Sequence, residues 1–193
     1  FYFVGNYDEK TLLPLIEQYI ASLPNNGFKL KNKEIPYAKG EVKNNFTKAM
    51  ANPQTQASEI WSTKLPFSMQ NMVLADVTAR LLEMQYLRTI REQLSAAYHA
   101  GATFGMLRDF DDKASIISIT ANAGLNPEKA DTAITYFFKG VDEVEKQVDA
   151  ADLQKVKEIL LKQAGVDEKN NAYWLGVLAN YTGLGFDNHT GYK

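Results

Sequence analysis

The chain has 193 residues, of which 45% are hydrophobic, and a net charge of -2 at neutral pH; this length suits one globular domain or slightly more. The weak net charge argues against a nucleic-acid or anionic-membrane surface, and no apolar run approaches the ~20 residues that cross a bilayer. Cysteine is absent, which excludes disulfides, thiolate zinc sites and cysteine catalysis.

The N-terminal residues predict a strand, a helix and a linker. "FYFVGNYD" indicates a buried strand ending at Gly5, and "DEKTLLPLIEQYIASLP" indicates a helix with Asp8 as its N-cap and Pro24 at its end. Residues 25–40 carry lysine, asparagine and glycine with little periodicity. We therefore expect residues 1–24 to be the end of a preceding α/β subdomain and residues 25–40 to be a linker. Residues 41–193 are expected to form an α/β domain that is truncated at its C-terminus. The opening "FYFVG" and the closing "GFDNHTGYK" indicate a fragment of a longer protein.

The central residues predict strands around one long helix. "EVKNNFTKAM" and "TQASEIWSTKL" are strand candidates separated by a turn at Asn52 to Gln54. A helical apolar pattern follows from about Ser68 to Leu94. Alternation then predicts a strand with one buried face, and "ASIISITANAG" returns as a second strand after the polar loop "LRDFDDK". The alternating apolar positions are Tyr98, Ala100, Ala102, Phe104 and Met106.

The C-terminal residues predict three helices. Asn126-Pro127-Glu128 has the N-cap, proline and acid of a helix start, Asp149 is the expected N-cap of the next helix, and a last helix covers roughly Asn171 to Tyr181. The order is β-α, linker, β-β-α-β-β-α-α-α, with strands meeting in hairpins. This order predicts the α+β class, with helices packed on one face of a mainly antiparallel sheet.

The residues that carry common catalytic chemistry are scarce. A zinc peptidase of the H-E-x-x-H or H-x-x-E-H type needs two histidines one helical turn apart, whereas this chain has only His99 on a strand and His189 in a terminal loop. No G-x-S-x-G elbow, P-loop or EF-hand pattern is present. We therefore predict no catalytic and no metal-binding residue in this chain, and expect both histidines to be non-ligands.

Arg91 and Tyr98 stand seven positions apart across the junction of the long helix and the following strand. In a structural interpretation, Arg91 is a cation at a helix C-terminus, favourable by ~0.3–1 kcal/mol, and Tyr98 is a strand-opening aromatic on a core face. In a functional interpretation, the guanidinium and the hydroxyl both point at the carbonyls of a bound peptide. The residues alone leave both interpretations open.

The stretch "LRTIREQLSAAYHAGATF" resembles the "LR-E-x-x-G-x-x-Y" segment in the C-terminal half of pitrilysin/insulinase-type zinc metallopeptidases, the inverzincins. The opening "FYFVGNYDEKTLLPLIEQYIASLP" is similar to that family's "G-D-x-D…L…L…Y…LP" segment, and "NPEKADTAITYFFKGVDEV…VDAADLQKVKEIL" resembles its late helix pair. The resemblance spans nearly the whole chain.

The resemblance implies a non-catalytic, substrate-binding half of a zinc endopeptidase. In that family, a catalytic half with H-x-x-E-H and a half of similar fold enclose a chamber, and the second half contacts the peptide substrate through an arginine and a tyrosine, here Arg91 and Tyr98. Zinc is then expected in the partner catalytic half, on the same protein or on a homologous subunit, and this chain alone is expected not to hydrolyse peptides. The resemblance also favours the periplasm or the cell envelope as the location of the protein. Ser95 departs from the pattern, because the family has glycine there and serine is strained at a left-handed φ.

The sequence leaves two alternatives open. A non-proteolytic scaffold or assembly module of the same fold would lack a catalytic partner with H-x-x-E-H. An unrelated α+β ligand-binding domain would instead contain a closed pocket within this chain, where a peptidase half would present an open sheet face.

Overall fold

The computed structural model describes residues 1–27, 40–108 and 114–184, and it divides the chain into two compact units. One unit is Gly40–Ala164, and the other combines Phe1–Lys39 with Gly165–Lys193. The predicted linker lies mostly outside the described residues, as do most of the predicted "LRDFDDK" loop and His189. The predicted domain boundaries stay a prediction.

The regular elements that the structure describes in the smaller unit are helices. Helix α1, Glu9–Ile16, continues as a π-helical turn, Glu17–Ala21. Asp8 caps it as predicted, accepting hydrogen bonds from the Lys10 backbone N–H and the Thr11 hydroxyl. Helix α5, Asn171–Leu184, belongs to the same unit.

The predicted N-terminal strand is wrong. Phe1–Gly5 forms no strand, and the side chains of Phe1 and Phe3 are 84% and 41% exposed. A strand needs a neighbouring strand to satisfy its backbone N–H and C=O groups, and the described residues of this unit contain none.

The larger unit is built on a three-stranded antiparallel sheet in the order β1-β3-β2. Strands β1 (Thr55–Pro66), β2 (Ala97–Arg108) and β3 (Ala114–Leu125) have twelve residues each, and β3 pairs with both others along its length. The predicted strand at 41–50 is wrong, because this segment has no strand partner and exposes Phe46 at 84%.

Helix α2, Met69–Tyr86, lies between β1 and β2 in the chain and continues as a π-helix, Leu87–Gln93. Ser68 caps it by accepting a hydrogen bond from the backbone N–H of Asn71 at 3.0 Å. The predicted helix over Ser68 to Leu94 is confirmed in extent, although its last third is wider than an α-helix.

Helices α3 (Ala130–Lys146) and α4 (Ala150–Asp167) follow the sheet. Both predicted starts are confirmed: Asn126 accepts a hydrogen bond from the backbone of Glu128 before the 3-10 turn Pro127–Lys129, and Asp149 accepts one from the backbone of Ala151. Helices and an antiparallel sheet packed around one core confirm the α+β class.

The core lies between α2, α3 and one face of the sheet. Tyr86 is fully buried, its ring stacks on Phe137 of α3 at 4.5 Å, and its hydroxyl donates a 3.1 Å hydrogen bond to the Phe137 carbonyl. Gly140 lies directly beneath the ring, because a methyl group added there would be 2.5 Å from Cε1 of Tyr86. The absence of a side chain at residue 140 therefore sets how closely α2 and α3 approach.

Replacing Gly140 with alanine is expected to destabilise the protein by about 1–3 kcal/mol, since overpacking outweighs the helix-propensity gain of up to ~1 kcal/mol. Gly165→Ala in α4 is the matched control, because a methyl group there meets no atom within 4 Å. Urea unfolding of the two variants measures the difference. Equal effects of both substitutions would contradict the packing argument.

Glu59 is an acid on the helix-covered side of the sheet. It pairs with the buried Ala121, and its Oε2 is buried without a hydrogen-bond partner among the described residues. Burial raises the pKa of Glu59 from 4.5 to about 7, and the charge of Glu41 adds to the rise. The carboxylate therefore opposes folding wherever it is ionised.

Glu59→Gln is expected to stabilise the protein more at pH 8 than at pH 5. The native pKa lies above the unfolded one, so the native state loses relative stability as pH rises from about 4.5 through about 7. Since partial solvent contact screens the charge, we expect a difference on the order of 1 kcal/mol. Urea unfolding at both pH values tests it, with Glu145→Gln on the exposed side of α3 as control. A gain that does not change with pH would refute the assignment.

Candidate substrate-contacting corner

The π-helix Leu87–Gln93 ends at a corner that leads into β2. The backbone N–H of Leu94 donates to the Thr89 carbonyl at 3.1 Å, five residues back, and that of Ala96 donates to the Ile90 carbonyl at 3.0 Å. These hydrogen bonds span five and six residues, whereas the hydrogen bonds of an α-helix span four. Short π-helical segments are frequent at functional sites, and the apolar periodicity gave no sign of this one.

Ser95 makes the turn by adopting a left-handed conformation with φ +47°. This is the position where the resembled family has glycine, so the corner keeps a left-handed residue despite the substitution. The side-chain ammonium of Lys129 supports the corner by donating to the carbonyls of Leu94 and Ser95 at 2.9 and 3.3 Å. Sequence reasoning missed Lys129, because its partners are more than thirty positions away in the chain.

Tyr98 lies at an irregularity in strand β2. Ala97 pairs with Leu125 and His99 pairs with Gly124, so Tyr98 is an extra residue with no partner on β3. Such a β-bulge changes the direction of a side chain and is common beside active sites. Tyr98 is 74% exposed, whereas Ala100 and Ala102, which alternation places on its face, are buried. The interpretation of Tyr98 as a core-face aromatic is therefore wrong.

Arg91 lies in the last turn of the π-helix and is exposed. Its position near a helix C-terminus agrees with the structural interpretation. It forms no ion pair with any residue that the structure describes. The fold therefore brings Arg91 and Tyr98 to the two sides of one corner, each with an exposed polar group available to a ligand.

The neighbouring Arg88 differs from Arg91. Its guanidinium forms an ion pair with Asp152 of α4, and Lys155 contacts the same carboxylate at 3.3 Å. The hydrogen bond from Arg88 is the main cause that holds the pKa of Asp152 below its ordinary value. Arg88 therefore connects the start of the π-helix to α4, and its guanidinium has a structural role.

A cleft of about 460 Å³ lies beside this ion pair, lined by residues of α2, α3 and the start of α4. It is open rather than enclosed, and Arg88 and Asp152 in its wall neutralise each other. It therefore does not provide the closed pocket that an unrelated ligand-binding domain would require.

The described residues do not fit a zinc site. No group of three histidine, cysteine, aspartate or glutamate side chains comes together in residues 1–27, 40–108 and 114–184. His99 is exposed on β2. In the same ranges, no helix is long and apolar enough to span a bilayer.

A family model described as the peptidase M16 inactive domain matches residues 1–160. The chain belongs to this family. The pitrilysin/insulinase-type zinc metallopeptidases that the sequence resembles are the M16 peptidases. The match therefore confirms the resemblance to their non-catalytic half. A comparison with curated proteins gives no significant match.

Two solved structures share the fold of this M16 domain. The periplasmic protease PqqL from Escherichia coli is 21% identical with a TM-score of 0.61, over 91% of this chain and 19% of that one. A protease from Helicobacter pylori is 18% identical with a TM-score of 0.64, over 94% of this chain and 44% of that one. The M16 domain thus spans less than half the length of either protease.

Ser95→Gly is expected to stabilise the M16 domain by about 0.5–1 kcal/mol, because glycine adopts a left-handed φ without the steric penalty of a β-carbon. Ser95→Ala keeps the β-carbon and should give no such gain. Thermal unfolding of both variants provides the measurement. A glycine variant no more stable than the alanine variant would show that the corner is unstrained.

Proposed function

We propose that this chain is the non-catalytic, substrate-binding half of a zinc-dependent endopeptidase, in which Arg91 and Tyr98 hold the peptide backbone near the scissile bond. The observation that carries the proposal is the corner itself: a bulge turns Tyr98 outward, and Arg91 on its other side has no ion-pair partner among the described residues. Membership of the M16 inactive-domain family supports the same role.

The two side chains suit a peptide backbone chemically. Arginine presents five N–H donors in a fixed fork, and the tyrosine hydroxyl donates one hydrogen bond, whereas peptide carbonyls are acceptors. Bonds to the substrate beside the scissile carbonyl position it for attack and can strengthen as negative charge develops on its oxygen. The chain's own contribution is therefore binding and orientation.

The metal chemistry of this peptidase belongs to a partner of the chain. A catalytic half with H-x-x-E-H, on the same polypeptide or on a homologous subunit, supplies zinc, which polarises the scissile carbonyl and activates water. The two proteases with a similar fold are longer than this chain by more than a factor of two, which is compatible with such a second half. Peptides enclosed between the halves are the proposed substrates.

Arg91→Ala and Tyr98→Phe are each expected to lower kcat/KM for peptide cleavage by the complete peptidase about 10- to 100-fold, because each removes a hydrogen bond to the reacting segment. Zinc content and melting temperature should stay unchanged, since both side chains are exposed. Peptide hydrolysis measured at equal zinc loading gives the result.

Matched controls are available in the same unit. Arg80→Gln removes an arginine that pairs with Asp76 on α2 at 2.8 Å, and Tyr136→Phe removes a hydroxyl on α3. Neither should change cleavage. Unchanged activity of the Arg91 and Tyr98 variants would return both residues to a structural role, and an inactive wild type with its partner bound would favour a scaffold.

A further inference from the structure

The sheet has one face opposite the helix-covered core, which we term the open face. Strand register and alternation place every second residue of each strand on it. Most of them are small or polar, and those on the outer strands are mainly exposed, as shown by Ile60 at 65%. The row of cross-strand neighbours nearest Tyr98 consists of His99 of β2, Gly124 of β3 and Gln56 of β1.

The first row of the open face brings two polar side chains to one point. Gly124 pairs with His99 on one side and with Gln56 on the other. A methyl group on Gly124 would lie 2.8 and 2.9 Å from Cε1 and Nδ1 of His99, and 3.3 Å from Nε2 of Gln56. The imidazole and the carboxamide therefore converge above the bare backbone of Gly124.

Neither polar group is used by the fold. His99 and Gln56 are exposed, and neither side chain forms a hydrogen bond or ion pair in the described part of the chain. Both groups can donate an N–H. Two donors that converge on one point favour an oxygen acceptor there.

The row lies next to the proposed substrate contact. His99 follows Tyr98 directly, and because the bulge takes Tyr98 out of register, both consecutive side chains are exposed. A peptide held by Tyr98 that continues along the open face passes over Gly124. One of its side chains then meets His99 and Gln56 together.

We infer that His99, Gly124 and Gln56 form a specificity subsite that selects an oxygen-bearing side chain, Asp, Glu, Asn or Gln, at one position of the peptide substrate. This inference rests on the proposed function. The missing side chain of Gly124 lets the imidazole of His99 and the carboxamide of Gln56 approach each other, and these two groups provide the hydrogen bonds. Loss of both bonds corresponds to about tenfold in affinity, as expected for hydrogen bonds on a partly solvated surface.

The experiment measures Kd of labelled peptides for the complete protein by fluorescence anisotropy, with a chelator present to prevent cleavage. In a position scan, each residue of the peptide is replaced in turn by aspartate, glutamine or alanine. The wild type should prefer the aspartate and glutamine peptides over the alanine peptide at one position, by about tenfold. No preference at any position would overturn the subsite.

His99→Phe keeps a ring over Gly124 without its N–H, and Gln56→Met keeps the length of the side chain without its amide. Each should reduce the preference to a few-fold, and the double variant should abolish it, while the Kd of the alanine peptide stays unchanged. Thr103→Val, two rows away on the open face, should leave the preference intact. A preference unaffected by the His99 and Gln56 variants would refute the inference.

Parallel titrations with Arg91→Ala and Tyr98→Phe separate the two proposals. If these variants weaken binding of every peptide and His99→Phe leaves the preference unchanged, only the subsite is wrong. If Arg91→Ala and Tyr98→Phe leave the Kd of every peptide unchanged, the proposed function is wrong, and with it the subsite that depends on it.

Discussion

The packing of Tyr86 against α3 is the constraint on which the larger unit depends. The buried ring stacks on Phe137, its hydroxyl is hydrogen-bonded to the Phe137 carbonyl, and Gly140 leaves space for it. This contact fixes α2 against α3 at the residue where α2 widens into the π-helix. The corner that carries Arg91 and Tyr98 therefore begins at a fully buried and closely packed residue of the core.

Three local departures from regular structure then expose two polar side chains. The π-helix changes the helical phase of Arg91, the left-handed Ser95 turns the chain, and the bulge displaces Tyr98 from the buried face. Irregular backbone is unfavourable unless neighbouring contacts hold it, and here Lys129, which follows the end of β3 beside the corner, supplies hydrogen bonds to it. Rigid support under an exposed corner is what a substrate-positioning site requires.

Local signals in the sequence predicted most of the fold. Asp8, Asn126 and Asp149 cap helices as expected because capping depends on residues two or three positions apart. The strands predicted at 1–5 and 41–50 failed because strand formation depends on a partner that composition does not reveal. Arg91 and Tyr98 were identifiable through family resemblance, whereas the convergence of His99 and Gln56 over Gly124 depends on the register of three strands.

The strand order β1-β3-β2 has a consequence for how the molecule acquires its structure. The two outer strands do not pair with each other, so the sheet cannot assemble until the chain as far as Leu125 is available. During synthesis, β1, α2 and β2 precede their shared partner and expose the apolar residues that later face the core. Nonlocal pairing of this kind slows folding and prolongs exposure to aggregation. Chaperone demand during translation should therefore fall once β3 has left the ribosome.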